Sequence, residues 1–307
     1  MKRFVVLILA LGLVLFTSGC VEGGGLAGIM GVGTEEEEAP SDVLEVADKN
    51  VIPNPPIASD SGFEFSFLVK NLYENEDTEG VDVELYDWGM CNRTEGSDIR
   101  DDDIYRGGER EVRWNFETPD SEDMGHMPRD CSLRFRVSYT FDARSTHDLY
   151  LVTQDHVREM DRRGESIGVS PTASYADGPI KAYIDFWGDQ PLIEETDVGF
   201  DIYMENTGEG KMGTELGTED ITIKHNGEEI KDFYTEEQDN GGKYCIWPMR
   251  NTDKTLYFSE GSTPRISCVI EDATIEGPGP VEEQTVQVEI NDYEYELLHE
   301  HSVEVEP

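Results

Sequence analysis

The chain has 307 residues, and 24 Lys+Arg against 67 Asp+Glu leave a formal charge of −43. Such a charge excludes nucleic acid as a natural partner, because phosphate binding needs clustered Lys and Arg that displace counterions. Hydrophobic residues make up 37%, enough to build cores, so the chain is not a disordered acidic tail, and its length suits about two domains.

Lys2 and Arg3 precede an uninterrupted apolar run, Phe4–Phe16, of 13 residues. That length suits the h-region of a signal peptide, about 7–15 residues, and falls short of the ~20 that a spanning helix needs. Thr17-Ser18-Gly19-Cys20 follows. Small residues ending in Cys at this distance resemble a lipoprotein lipobox. The resemblance implies that 1–19 is a signal peptide, cleaved before Cys20, and that the Cys20 thiol carries lipid. The same segment also fits an uncleaved anchor from Phe4 to about Val21. Both readings place the rest of the chain outside the cytoplasm and attached to the cell membrane. Residues 20–44 read as an acidic tether, flexible through its glycines and extended by repulsion within Glu35–Glu38.

An internal repeat organises the remainder. Pro56–Asn71 and Pro191–Asn206 align without a gap at an offset of 191 − 56 = 135. Phe63, Phe65, Phe67 and Val69 fall on Val198, Phe200, Ile202 and Met204. Strict alternation predicts strands with one buried face. Val81–Leu85 then matches the strand around Ile221 and Ile223, which Asn226-Gly227 closes as a hairpin. Cys91 matches Cys245, and Val112, Trp114 and Phe116 match Leu256 and Phe258. Pro119 and Pro264 follow, then Cys131 and Cys268, each opening another strand. Further strands are expected near Leu149–Val152, Val286–Ile290 and Tyr293–Val305. The reading is all-β: two tandem antiparallel Ig-like β-sandwiches, 45–152 and 180–307.

Between them, 153–179 reads as a short helix and a linker. Asp155 is a candidate cap, Glu159 can pair with Arg163, and Gly164 can end the turn. The basic helix face can dock on an acidic sandwich or stay solvated, and the solvated state is the expectation. The stretch from Ser166 to Pro179 is expected to be flexible.

MENTGEGKM (204–212) followed by ITIKHNGEEI (221–230) is similar to the CARDB-type Ig-like modules of archaeal and bacterial surface proteins. That resemblance implies adhesion, spacing or envelope association rather than catalysis. With 9 Lys against 15 Arg, the composition also resembles the acid-rich proteins of halophilic archaea.

Four cysteines remain beside Cys20, and four allow three pairings. The repeat selects Cys91–Cys131 and Cys245–Cys268, because each copy then holds one pair. Export makes such bonds chemically reasonable. Asn92-Arg93-Thr94 is a glycosylation sequon in a predicted loop. His299 and His301 share a strand face and can hold a metal, although two ligands fall short of a full set. Met124, His126 and Met127 near Cys131 offer soft ligands of the kind that suit copper. The acidic loop Asp98–Asp103 offers oxygens to Ca²⁺ without the spacing of a calcium motif. No catalytic motif is present, and neither an enzyme nor a cofactor is expected. The expected function is a membrane-anchored, non-catalytic surface protein for adhesion, assembly or cell-envelope structure, meeting a protein or glycan partner. The alternative is a lipoprotein that captures a small solute or metal for a membrane transporter.

The charge generates a salt prediction. Like charges repel more in the compact fold than in the expanded chain, and screening relieves this as the Debye length falls from about 10 Å at 0.1 M to about 3 Å at 1 M. The melting temperature of the oxidised fragment 45–307 is expected to rise across that NaCl range. A melting temperature flat in salt would mean that the acids are locally compensated.

Overall fold

A computed structural model describes residues 42–73, 76–213, 215–234, 242–248 and 255–307. The expected signal peptide, Cys20 and the expected tether as far as residue 41 lie outside the described residues. The first half of the chain gives β1 (Leu44–Ile52), β2 (Ile57–Ala58), β3 (Gly62–Asn71), β4 (Thr78–Asp87), β5 (Asn92–Gly96), β6 (Ile99–Ile104), β7 (Glu109–Glu117) and the long β8 (Arg129–Val152). After the helix α1 (Gln154–Arg163) come β9 (Ala173–Tyr175), β10 (Ile180–Phe186), β11 (Leu192–Ile193), β12 (Thr196–Asn206) and β13 (Lys211–Met212). The chain continues with β14 (Ile221–His225), β15 (Glu228–Glu229), β16 (Asp232–Tyr234), β17 (Lys243–Ile246), β18 (Ile266–Ala273) and the long β19 (Val281–Glu306). The all-β class is therefore the one observed.

These strands build three sheets. Two are small, ordered β1-β3-β7-β5 and β10-β12-β18-β17-β16. The third is long, ordered β15-β14-β19-β8-β4-β6, with β2 and β13 added on β19 and β9 and β11 on β8. The odd-numbered residues of β8 are buried from Cys131 to Tyr139 and again from Ala143 to Leu151, whereas Arg136 and Arg144 face outward. Both small sheets therefore cover the same face of the long sheet. One contiguous core runs through both halves, from Val43 to Val305.

The two long strands exchange halves. Arg129–Phe141 of β8 pairs with the far end of β19, Tyr293–Val305, beside β4. Ala143–Val152 of β8 then continues into the second half and pairs with Val281–Ile290 of β19, beside β14. Each long strand thus begins under one small sheet and ends under the other. The repeat keeps this symmetry in detail. β2 lies parallel on the end of β19 (Ile57 opposite Val305), and β11 lies parallel on the end of β8 (Leu192 opposite Leu151). The two lobes are accordingly not the self-contained segments 45–152 and 180–307. The end of each expected sandwich belongs to the other lobe.

The exchange pivots on a β-bulge, where Asp142 of β8 faces both Asn291 and Asp292 of β19. Asp292 adopts a left-handed φ of 50° and donates its N–H to Asp142 Oδ1 at 2.8 Å. Inward positions on β19 are even-numbered before the bulge (Val286, Val288, Ile290) and odd-numbered after it (Tyr293, Tyr295, Leu297). The extra residue keeps one buried face continuous while the strand bends.

The repeat alignment holds over β3 and β12 and over β4 and β14, which lie beside β8 and β19 respectively, and fails further on. β3 lies between β1 and β7, whereas β12 lies between β10 and β18. Phe65 faces Trp114 and Phe200 faces Cys268, so β7 corresponds to β18 and Cys268 stands in the place of Trp114. Leu256, the expected counterpart of the Trp114 strand, makes only an isolated bridge to Leu216. The disulfides are Cys91–Cys131 and Cys245–Cys268, the expected pairs, yet they occupy non-equivalent places. The first ties the crossover before β5 to β8 in the long sheet, and the second joins neighbouring strands β17 and β18.

The connector departs from expectation at both ends. Thr153, not Asp155, caps α1, its Oγ1 accepting the His156 N–H, and Gly164 ends the helix at φ 69°. Arg163 pairs with Glu159, and no residue of α1 is buried, so the helix is solvated. Within the stretch expected to be flexible, Ala173–Tyr175 forms β9 on the edge of β8.

Because both long strands pass through both lobes, the halves are expected to unfold together. Phe135 is fully buried in β8, and Phe135→Ala should cost about 3–5 kcal/mol. Calorimetry should show one transition that shifts as a whole to lower temperature. Two transitions, with only one of them shifted, would show that the lobes are independent.

Candidate functional site

His299 and His301 project from one face of β19, as their spacing requires, but toward the aromatic core. His301 stacks on Phe65 with centroids 4.8 Å apart, and His299 packs against Phe135 at 5.4 Å. The next basic group is Lys49, whose Nζ lies 5.8 Å from the Phe135 ring centre. Burial, and then the Lys49 charge, push His299 down to about 4 and lower His301 in the same direction. Aromatic rings and an ammonium surround the pair, and no cluster of three His, Cys, Asp or Glu suited to a metal occurs among the described residues.

The other candidates are dispersed. Asn92 is exposed at the start of the edge strand β5, not in a loop, and Thr94 of the same sequon bonds the Asn115 carbonyl at 3.2 Å. The acidic segment expected as a loop is mostly β6: Asp98 pairs with Arg93 at 3.0 Å and Asp102 with Arg110 at 2.8 Å. Met124 is buried, Met127 is exposed, and His126 bonds the Ser121 hydroxyl at 2.8 Å. Cys131 is in a disulfide and carries no free thiolate. Cys20 lies outside the described residues.

Two ion-pair networks straddle the exchanged strands. Arg136 reaches Glu84 (2.6 Å) and Glu296 (2.9 Å), and Lys211 also reaches Glu296. Arg144 and Lys224 share Glu289, at 2.7 and 2.5 Å. Burial works against the Glu289 charge, but these two cations outweigh it and hold the carboxyl below its ordinary range.

A cleft of about 500 Å³ opens beside the bulge, on the edge of β8 opposite β19. β4 pairs with β8 as far as Thr140, and β9 begins its pairing at Ser145. The Phe141–Ala143 edge between them has no strand neighbour on that side among the described residues. Tyr73, Phe141 and Tyr175 supply rings to the walls, and Glu76, Asp142 and Asp177 supply carboxylates. Sequence reasoning missed this site because its parts come from the β3–β4 connection, the strand exchange and the segment after β9.

No protein-family model matches the chain, and a search of curated proteins finds no match. Among solved structures the chain is similar to a protein of unknown function from Porphyromonas gingivalis W83. Identity is 12%, over 75% of this chain and 83% of that one, with a TM-score of 0.21. The two disulfides fit an oxidising, extracytoplasmic compartment. Among the described residues, no helix is long and apolar enough to cross a membrane.

The lowered His299 generates a pH prediction. In the fold it stays neutral down to about 4, whereas its ordinary value is 6.5. The unfolded chain therefore binds the extra proton between these values. The stability contribution is full above pH about 6.5, falls as pH drops toward 4, and levels off below. His299→Gln is expected to lose less melting temperature than the wild type between pH 7.5 and 4.5. Equal losses would mean that His299 is protonated in the fold.

Proposed function

We propose that the chain is an extracytoplasmic protein held to the cell membrane through Cys20, with a non-catalytic role in adhesion, assembly or envelope structure. The observation that supports this best is the construction of the body. Two lobes share one continuous sheet, each long strand is held by both lobes, and each lobe carries a disulfide. Such a body resists bending between its halves and suits a spacer that presents loops and edges to a protein or glycan partner. On this reading the lobes are Ig-like modules of a surface protein, and the acid excess suits a saline habitat.

Affinity purification of the intact protein from its own membranes tests this role. One surface protein or surface glycan is expected to co-purify stoichiometrically, and Cys20→Ala should release the chain from the membrane fraction. Recovery of a transporter subunit instead would overturn the structural role, and retention of Cys20→Ala would overturn the lipid anchor.

A further inference from the structure

The geometry points to the cleft beside the strand exchange as a binding site for an organic ammonium ion. This inference stands apart from the surface role above, since a spacer needs no such site.

The first argument is shape. At about 500 Å³ the cleft lies within the usual range of ligand sites, about 300–1,000 Å³. Its floor is the unpaired edge of β8 where the two lobes meet, so both halves of the chain hold its walls in place.

The second argument is chemistry. Phe141 packs edge-on against Tyr293 and lies 5.6 Å from Tyr73, while Tyr175 is held between His147 and Tyr183. These rings are fixed by neighbours before any ligand arrives. A cation over a ring face gains about 0.5–2 kcal/mol, and more of that range when desolvated. The surrounding charge has the matching sign. Arg144 in the wall is already bound to Glu289, which Lys224 shares. Lys181 lends Asp177 a partial counter-charge while its own Nζ bonds the Ala176 carbonyl at 2.6 Å. Asp142 is engaged by the Asp292 N–H alone, and Glu76 has no ion pair among the described residues. A carboxylate or phosphate would be repelled here, and a neutral apolar ligand would leave these acids uncompensated.

The third argument is an unmet polar group. Tyr73 is 5% exposed, and its hydroxyl donates to no acceptor, the Gly178 N–H being the group nearest its oxygen. Burial, then the charges of Asp177 and Glu76, push its pKa far up, so it stays a neutral phenol at every physiological pH. A buried hydroxyl left unpaired is costly. Tyr73 lines the cleft wall, and its hydroxyl, covered in the empty cleft, gains an acceptor where a ligand hydroxyl displaces that cover.

Choline and its uncharged isostere 3,3-dimethyl-1-butanol separate charge from shape. The full chain in detergent, oxidised and in 1 M NaCl to screen the general negative field, is titrated with each by calorimetry. Saturable binding of one choline per chain is expected, with the isostere weaker by about tenfold or more. Glu76→Gln, at an exposed position, should keep the wild-type melting temperature, Tyr175→Ala should lower it through the lost ring contacts to His147 and Tyr183, and each should weaken choline by about three- to tenfold. Tyr73→Phe removes an unpaired hydroxyl, so it should melt no lower than the wild type and still bind choline less tightly. No saturable binding, equal binding of the isostere, or binding untouched by all three variants would overturn the assignment.

Discussion

The ladder between β8 and β19 is the constraint on which the rest of the structure depends. It runs from Arg129 opposite Val305 to Val152 opposite Val281. A slip of one residue would turn Phe135, Val137, Tyr139 and Leu149 to solvent together, so the register is held by every inward side chain at once. The small sheets are secondary to it. Each can cover only the inner face that the two long strands jointly provide. The disulfides reinforce the same plan at its periphery, one clamping a crossover to β8 and the other stiffening a small sheet.

The strands themselves were legible, and their connections were not. Period-2 alternation located β3 and β12, and their matching ends are equivalent down to the hydrogen bonds. Asn71 Oδ1 accepts the Tyr73 N–H at 2.9 Å, and Asn206 Oδ1 accepts the Gly208 N–H at 3.1 Å. The continuity of β8 was hidden because its inward residues after the bulge begin with Ala143, Ser145 and His147, which carry little apolar signal. The continuity of β19 was hidden by the change of parity at Asn291 and Asp292, which looks like the end of one strand and the start of another. Periodicity reports which face is buried; it does not report which strand lies opposite. The correct disulfide pairs followed from an alignment whose later part was wrong, since Cys268 replaces Trp114 and has no structural kinship with Cys131.

Charge is unevenly used. Arg136, Arg144, Lys211 and Lys224 gather on the outer face of the long sheet and neutralise Glu296 and Glu289, the two carboxylates most enclosed by the exchange. An enclosed carboxylate without such partners would be strongly destabilising. Four of the chain's 24 Lys and Arg therefore stand where burial demands them. Most other acids are left to solvent and salt, and the predicted sensitivity to screening rests on them. Lys49 is the counter-example. It lies over Phe135 without an ion pair among the described residues, and its charge opposes protonation of His299 and His301.

The candidate site was the least legible feature, for a reason that the exchange explains. A motif can be read from sequence when its residues share a turn, a helix face or a strand face. In the cleft, Tyr73 and Glu76 arrive from one connection, Phe141 and Asp142 from the pivot of β8, and Tyr175 and Asp177 from the end of a segment that reads as linker. The conserved geometry of the repeat does not help, because the exchange brings one wall from each copy rather than two equivalent walls. β9 sits beside the second half of β8, whereas β4 occupies the corresponding side of the first half. The gap between the two is what leaves the edge at Phe141–Ala143 open. The site is thus a product of the topology, which sets residues from both copies around one open edge of β8.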